Sequence, residues 1–138
     1  MLLGPWAASV IITCVLIVQC LLFQDGGLGA LGANVLNMAL VAPFVAYGVY
    51  RLVTWLLPHQ RAIFWGAFAA AWTSVLAAAS LCAIELVVSG TSAFRVAVPA
   101  MVGIHALIGL AEGAITVAVL SVVAVTRPEL MQPEGARA

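Results

Sequence analysis

Leu2–Phe23, LLGPWAASVIITCVLIVQCLLF, runs for a full helical span without one Asp, Glu, Lys, Arg or His. A bilayer's hydrocarbon layer is about 30 Å thick and a helix rises about 1.5 Å per residue, so roughly 20 apolar residues cross it. A secretory leader differs from this stretch in two ways. It opens on a basic region and its apolar core runs only about 7–15 residues, whereas Met1 here leads straight into Leu2, Leu3, Gly4 and Pro5. The stretch reads as a membrane-spanning helix, and that reading fixes the class to which the rest of the chain belongs.

Three more charge-poor stretches come after it. Gln24, Asp25, Gly26, Gly27, Gly29 and Gly32 carry the chemistry of a loop. Beyond them a second apolar run ends at Arg51, with Trp55 and Pro58 just past it. Pro58, His59, Gln60 and Arg61 form a short polar connection, and a third run carries Glu85 near its far end. Gly90-Thr91-Ser92-Ala93-Phe94-Arg95 separates it from a fourth, which stops before Arg127 and Pro128. The pattern predicts an all-α integral membrane protein with spans at about 3–24, 33–55, 62–88 and 97–126 within a membrane domain 1–127. Residues 128–138, with two glutamates and two prolines, read as a polar cytoplasmic tail without packed structure. No fixed-period repeat is present.

Composition agrees. The chain is 65% hydrophobic and 7% charged, with a mean hydropathy of +1.21. A soluble domain carries roughly a quarter charged residues, because its surface must meet water. Lys and Arg together number 5, all arginine, and the net charge is zero, so no basic field exists for nucleic acid. Cys14, Cys20 and Cys82 lie in apolar runs without metal or redox spacing and read as small buried apolar side chains. No Walker A, GxSxG, HExxH or CxxC motif occurs, which disfavours an enzyme.

Arginine placement sets the expected orientation. With four crossings, Arg51, Arg61, Arg127 and Arg137 share one side, and Arg95 lies opposite with Asp25. Both termini are therefore expected in the cytoplasm of a multi-pass inner or plasma membrane protein. Trp6, Tyr50, Trp55 and Trp65 fall near that same interface, where amphipathic rings settle.

Ionisable groups inside a span cost roughly 2.5–3.5 kcal/mol each on insertion scales, so they mark sites worth reading. His105 and Glu112 lie in the fourth span on a stripe with Gly109 and Thr116. They stand roughly 10 Å apart along the axis, too far to chelate one ion together. Two kinds of reading fit: they line a pocket or pathway or stand as an outer shell to ligands held elsewhere, or they tie the helix to polar groups on its neighbours. Asn34 and Asn37 share a face of the second span beside the glycine loop and admit the same pair of readings. Asp25 in that loop joins the candidate lining set. Gly109 and Gly113 make a GxxxG, which lets helix backbones approach closely. Glu85, near a span end, reads as a structural group that reaches water.

Two long strings go further. The run Leu22–Met38, LFQDGGLGALGANVLNM, resembles a signature of the cobalt and nickel substrate-binding membrane (M) components of energy-coupling factor transporters. The run Pro99–Thr116, PAMVGIHALIGLAEGAIT, is similar to that family's last helix, and Gly4-Pro5-Trp6 and Leu86–Ser92 add shorter matches. The likeness reaches to about Leu130. It implies capture of Co2+ or Ni2+ as transported substrate and delivery across the bilayer. The partners it implies are a transmembrane coupling subunit and cytoplasmic ATPase subunits. It also implies that the four spans are part of a larger helical bundle, and that the metal is held chiefly by a Met-His amino terminus and a later loop histidine. Residue 2 here is Leu2, and no histidine-bearing loop precedes Gly4-Pro5-Trp6. No metal ligand can be carried over, and the expectation is an N-terminally shortened or separately completed member. The runner-up is a non-transporting membrane scaffold or an inactive fragment of the same family.

Overall fold

The structure, a computed structural model, describes residues 3–24, 26–57 and 59–131, with backbone alone at 59–61. Asp25, Arg137 and the rest of 132–138, to which part of the sequence reading refers, lie outside these residues. Every regular element among the described residues is helical. Four helices are long and apolar enough to cross a membrane: Gly4–Phe23, Gly27–Leu56, Ala62–Val88 and Phe94–Thr126.

The first, α1 (Gly4–Phe23), opens with Pro5, whose missing N–H is one the first turn leaves unpaired anyway. It ends at Gln24, whose φ of 55° is left-handed. Gly26 follows with φ 72°, and a side chain there would also meet Asn34 Nδ2 at 2.8 Å. The turn is confined to this point. The helix resumes at Gly27, so Gly29 and Gly32, which look like loop residues by type, are helical. In a bilayer an unpaired backbone amide is more costly than a glycine's entropy, and the helix wins.

The second span is one continuous rod with a change of pitch: α2 (Gly27–Asn34), a π-helical segment (Val35–Val41) and α3 (Ala42–Leu56). Pro43 explains the change. A proline inside a helix removes one N–H and crowds the carbonyl four residues back. The wider turn just ahead of it re-pairs the backbone, with the Ala42 N–H bonding to the Asn37 carbonyl. After extended Leu57 the chain re-enters a helix, α4 (His59–Val88), earlier than composition alone suggests. Gly90, at φ 71°, closes it, and α5 (Phe94–Thr126) completes the set. Pro128–Met131 adds a single 3-10 turn with an exposed Arg127–Glu129 ion pair at 3.1 Å, giving some structure to the start of the expected tail.

The α4–α5 seam is the most extensive, α3–α4 comes next, and α1 packs on the second span. What binds them is smallness. Ala67, Ala70, Ala79 and Ala83 are buried, and no large side chain is fully so among the described residues. Lipid is as apolar as leucine, so helices in it gain from close backbone approach rather than from hiding bulk. Gly109 faces Trp72 Cδ1, 2.9 Å from where its Cβ would stand, and Gly113 faces Phe68 Cδ2 at 2.8 Å. Gly66 does the same for Tyr50 at 3.0 Å across the α3–α4 seam. One hydrogen bond crosses with them, from Trp72 Nε1 to the Ala106 carbonyl at 3.0 Å. Cys20 is buried as expected of a small apolar side chain. Cys14 is exposed on α1, because its position on the helix turns away from the second span.

Candidate functional site

The alanine-rich face of α4 leaves room where larger residues would have closed the bundle. Ser74, Ala78 and Cys82 recur every four residues along one stripe, with Val75 and Ala79 beside it. A cavity of about 420 Å³ opens over this stripe and draws walls from all four spans. The other walls are Ile12 of α1, Asn34, Asn37, Met38 and Ala42 of the second span, and Met101, His105, Ile108 and Glu112 of α5. Four of the five residues proposed from sequence as lining thus meet in one cavity: His105, Glu112, Asn34 and Asn37. The fifth, Asp25, lies outside the described residues. Gly109 and Gly113 sit against α4, outside the cavity wall.

Two of these residues are held in defined orientations. His105 Nδ1 lies 2.7 Å from the Met101 carbonyl one turn back. A carbonyl only accepts, so Nδ1 carries the proton and a neutral ring keeps its lone pair on Nε2. Asn37 sits in the π-helical segment, 3% exposed, and its Nδ2 donates to Glu85 Oε2 at 2.8 Å. Glu85 is therefore bonded across to the second span through Oε2 while its side chain stays partly exposed. Glu112 is exposed where it borders the cavity, and Cys82 and Glu85 are half-buried. Among the described residues no three His, Cys, Asp or Glu side chains converge on a point that would hold a metal ion.

Sequence reasoning passed over Ser74, Cys82, Met38 and Met101. The first two had a usable signal, the four-residue recurrence of small side chains on α4. The methionines had none, because a thioether in an apolar run looks like any other filler.

Four apolar spans around a largely apolar cavity that carries a few polar side chains describe a multi-pass membrane protein. Residues 1–130 match the family described as the cobalt uptake substrate-specific transmembrane region. The chain belongs to that family, as the likeness of the glycine-turn and last-helix strings implied. A putative fused nickel transport protein of Archaeoglobus fulgidus is 42% identical over 137 residues, covering 98% of this chain and 45% of that protein. A putative metal transport protein of Haloquadratum walsbyi is 36% identical over 132 residues, covering 94% of this chain and 58% of that one. A solved structure titled as a truncated transition metal transporter superposes with a TM-score of 0.72 at 39% identity, covering 89% of this chain and 63% of that chain. The chain thus spans about half the length of the curated relatives it matches.

Proposed function

We propose that this chain serves as the membrane substrate-capture component of an ATP-driven uptake transporter for cobalt or nickel. The observation that carries the reading is the cavity: an apolar chain of a metal-uptake family keeps a histidine, two asparagines and a glutamate on one chamber bounded by all four spans. Energy comes from partners, a transmembrane coupling subunit and cytoplasmic ATPases, because this chain has no nucleotide-binding motif. In this reading it crosses the cell membrane four times, with both termini in the cytoplasm and the arginines of the 51–61 connection beside the partner subunits.

The test is accumulation of radiolabelled Co2+ or Ni2+ by a host stripped of its own uptake, expressing the chain with its partner subunits. Uptake above the empty host that disappears when the ATPases are inactivated is expected. His105→Ala and Glu112→Gln should lower it at normal expression. Background accumulation by a chain demonstrably in the membrane and bound to its partners would overturn the reading. That result would move weight to a scaffold that holds the partners without carrying metal. The absence of a three-ligand cluster among the described residues is the observation in the scaffold's favour.

A further inference from the structure

The cavity is bounded by two groups of helices that are fastened unequally. Behind it, α4 and α5 are sewn together at Gly109, Gly113 and the Trp72–Ala106 bond, and α3 is sewn to α4 at Gly66. In front, α1 packs along the second span and has no comparable seam to α4 or α5. The α2 segment is looser still. None of its residues is buried, its seams are with α1 and the π-helical segment, and Gly27, Gly29 and Gly32 have nothing within 4 Å of a would-be Cβ. Both helices nevertheless supply wall to the cavity, through Ile12 and Asn34. This α1–α2 hairpin is joined to α3 through the wide turn Val35–Val41 and through the Trp6–Phe44 edge contact, which falls three residues beyond that turn.

One side-chain hydrogen bond among the described residues ties the second span to α4, and it sits inside the wide turn: Asn37 Nδ2 to Glu85 Oε2, 2.8 Å. The bond is unbalanced. A carboxylate only accepts, so it takes the nitrogen end of the amide and leaves Oδ1 buried without a partner among the described residues. A buried acceptor without a partner is costly, and the cost is recovered where water or another donor reaches it. Glu85 stands one turn from the end of α4, within reach of water. The turn itself accommodates Pro43, and π-helical turns are among the places where a helix bends. The closed arrangement is thus held by one bond and opposed by one stranded oxygen, which is the balance of a two-state element.

We propose that α1 and α2 form a lid over the cavity that hinges at the wide turn, with the Asn37–Glu85 bond as its latch. Latched, the second span lies against α4, and Ile12 and Asn34 complete the chamber wall. Unlatched, the hairpin swings away from α4 about the wide turn and the Trp6–Phe44 contact. Water then reaches Oδ1, and the chamber opens between α1 and α5. The device is indifferent to the solute that the chamber takes.

The amide chemistry supplies variants of opposite sign. Glu85→Gln keeps an acceptor for Asn37 Nδ2 and adds an N–H for the stranded Oδ1, so it tightens the latch. Asn37→Leu removes it. The experiment is electron–electron double resonance on the full chain in lipid nanodiscs, with Cys14, Cys20 and Cys82 replaced by alanine. Spin labels sit at Leu28→Cys on α2 and Phe94→Cys at the start of α5, both exposed positions. Two label separations are expected, and Asn37→Leu should raise the share of the longer one about threefold or more, as loss of one interhelical hydrogen bond allows. Glu85→Gln should lower that share by a similar factor and raise the thermal unfolding temperature. A distance distribution that is the same in the parent, Glu85→Gln and Asn37→Leu overturns the lid. It does so even where thermal unfolding shifts, since that pattern belongs to a fixed clamp. Glu85→Ala takes the place of Asn37→Leu if the latter does not fold.

Discussion

A single hydrogen atom on α5 carries more consequence than most side chains here. Gly109 and Gly113 have no room for a methyl group against Trp72 and Phe68, whereas Gly103 on the same helix has nothing within 4 Å of its would-be Cβ. Gly113→Val is therefore expected to push α5 off α4 at a cost of about 1–3 kcal/mol, the range for overpacking a tight seam. Gly103→Ala should be neutral or slightly stabilising. Thermal unfolding in detergent checks both, and equal behaviour of the two variants would contradict the seam as described. The Trp72–Ala106 hydrogen bond is a smaller matter. Interhelical hydrogen bonds in membranes average about 0.6 kcal/mol, so Trp72→Phe should cost no more than a few tenths to one kcal/mol in the same measurement.

At the scale of the element, the second span is where sequence and structure part. Its apolar run announces a helix, but nothing in composition announces the π-helical turn at Val35–Val41 or the helix's early start at Gly27. Both depend on backbone pairing that hydropathy does not register: Pro43 removes a donor, and the bilayer penalises leaving carbonyls bare. The four spans were legible because length and apolarity are what a bilayer selects. The polar face of α5 was legible because ionisable residues in a span are costly and stand out. Which polar groups meet was not, since the Asn37–Glu85 bond joins residues 48 apart in sequence and depends on the register the wide turn sets. That dependence can be measured. In the parent chain a double-mutant cycle on Asn37→Ala and Glu85→Ala should return a coupling of about 0.6–1.7 kcal/mol. In a Pro43→Ala background, where the turn can relax to an ordinary helix, the coupling should fall toward zero. A cycle unchanged by Pro43→Ala would separate the wide turn from the site.

For the molecule as a whole, arginine count is the strongest statement about placement in the membrane. Arg51, Arg61 and Arg127 on one side against Arg95 on the other give an orientation that labelling can test. In a chain with Cys14, Cys20 and Cys82 replaced by serine, Thr91→Cys should react with a membrane-impermeant maleimide on intact cells. Glu129→Cys should react only after permeabilisation. The opposite pattern would invert the topology and with it the side from which the cavity fills.

The spans also touch in a row: α1 on the second span, the second span on α4, and α4 on α5. Stability in such a row is close to a sum over seams, as in proteins built from stacked repeats. Damage at the Trp6–Phe44 contact, an edge-on pair at 4.9 Å joining α1 to α3, should therefore add to damage at Gly113 within about 0.3–0.5 kcal/mol. The cavity obeys a different arithmetic, because its wall needs a contribution from every member of the row. A lesion anywhere leaves most of the fold standing and still deforms the chamber, so the shape of the cavity should be lost well before the fold is.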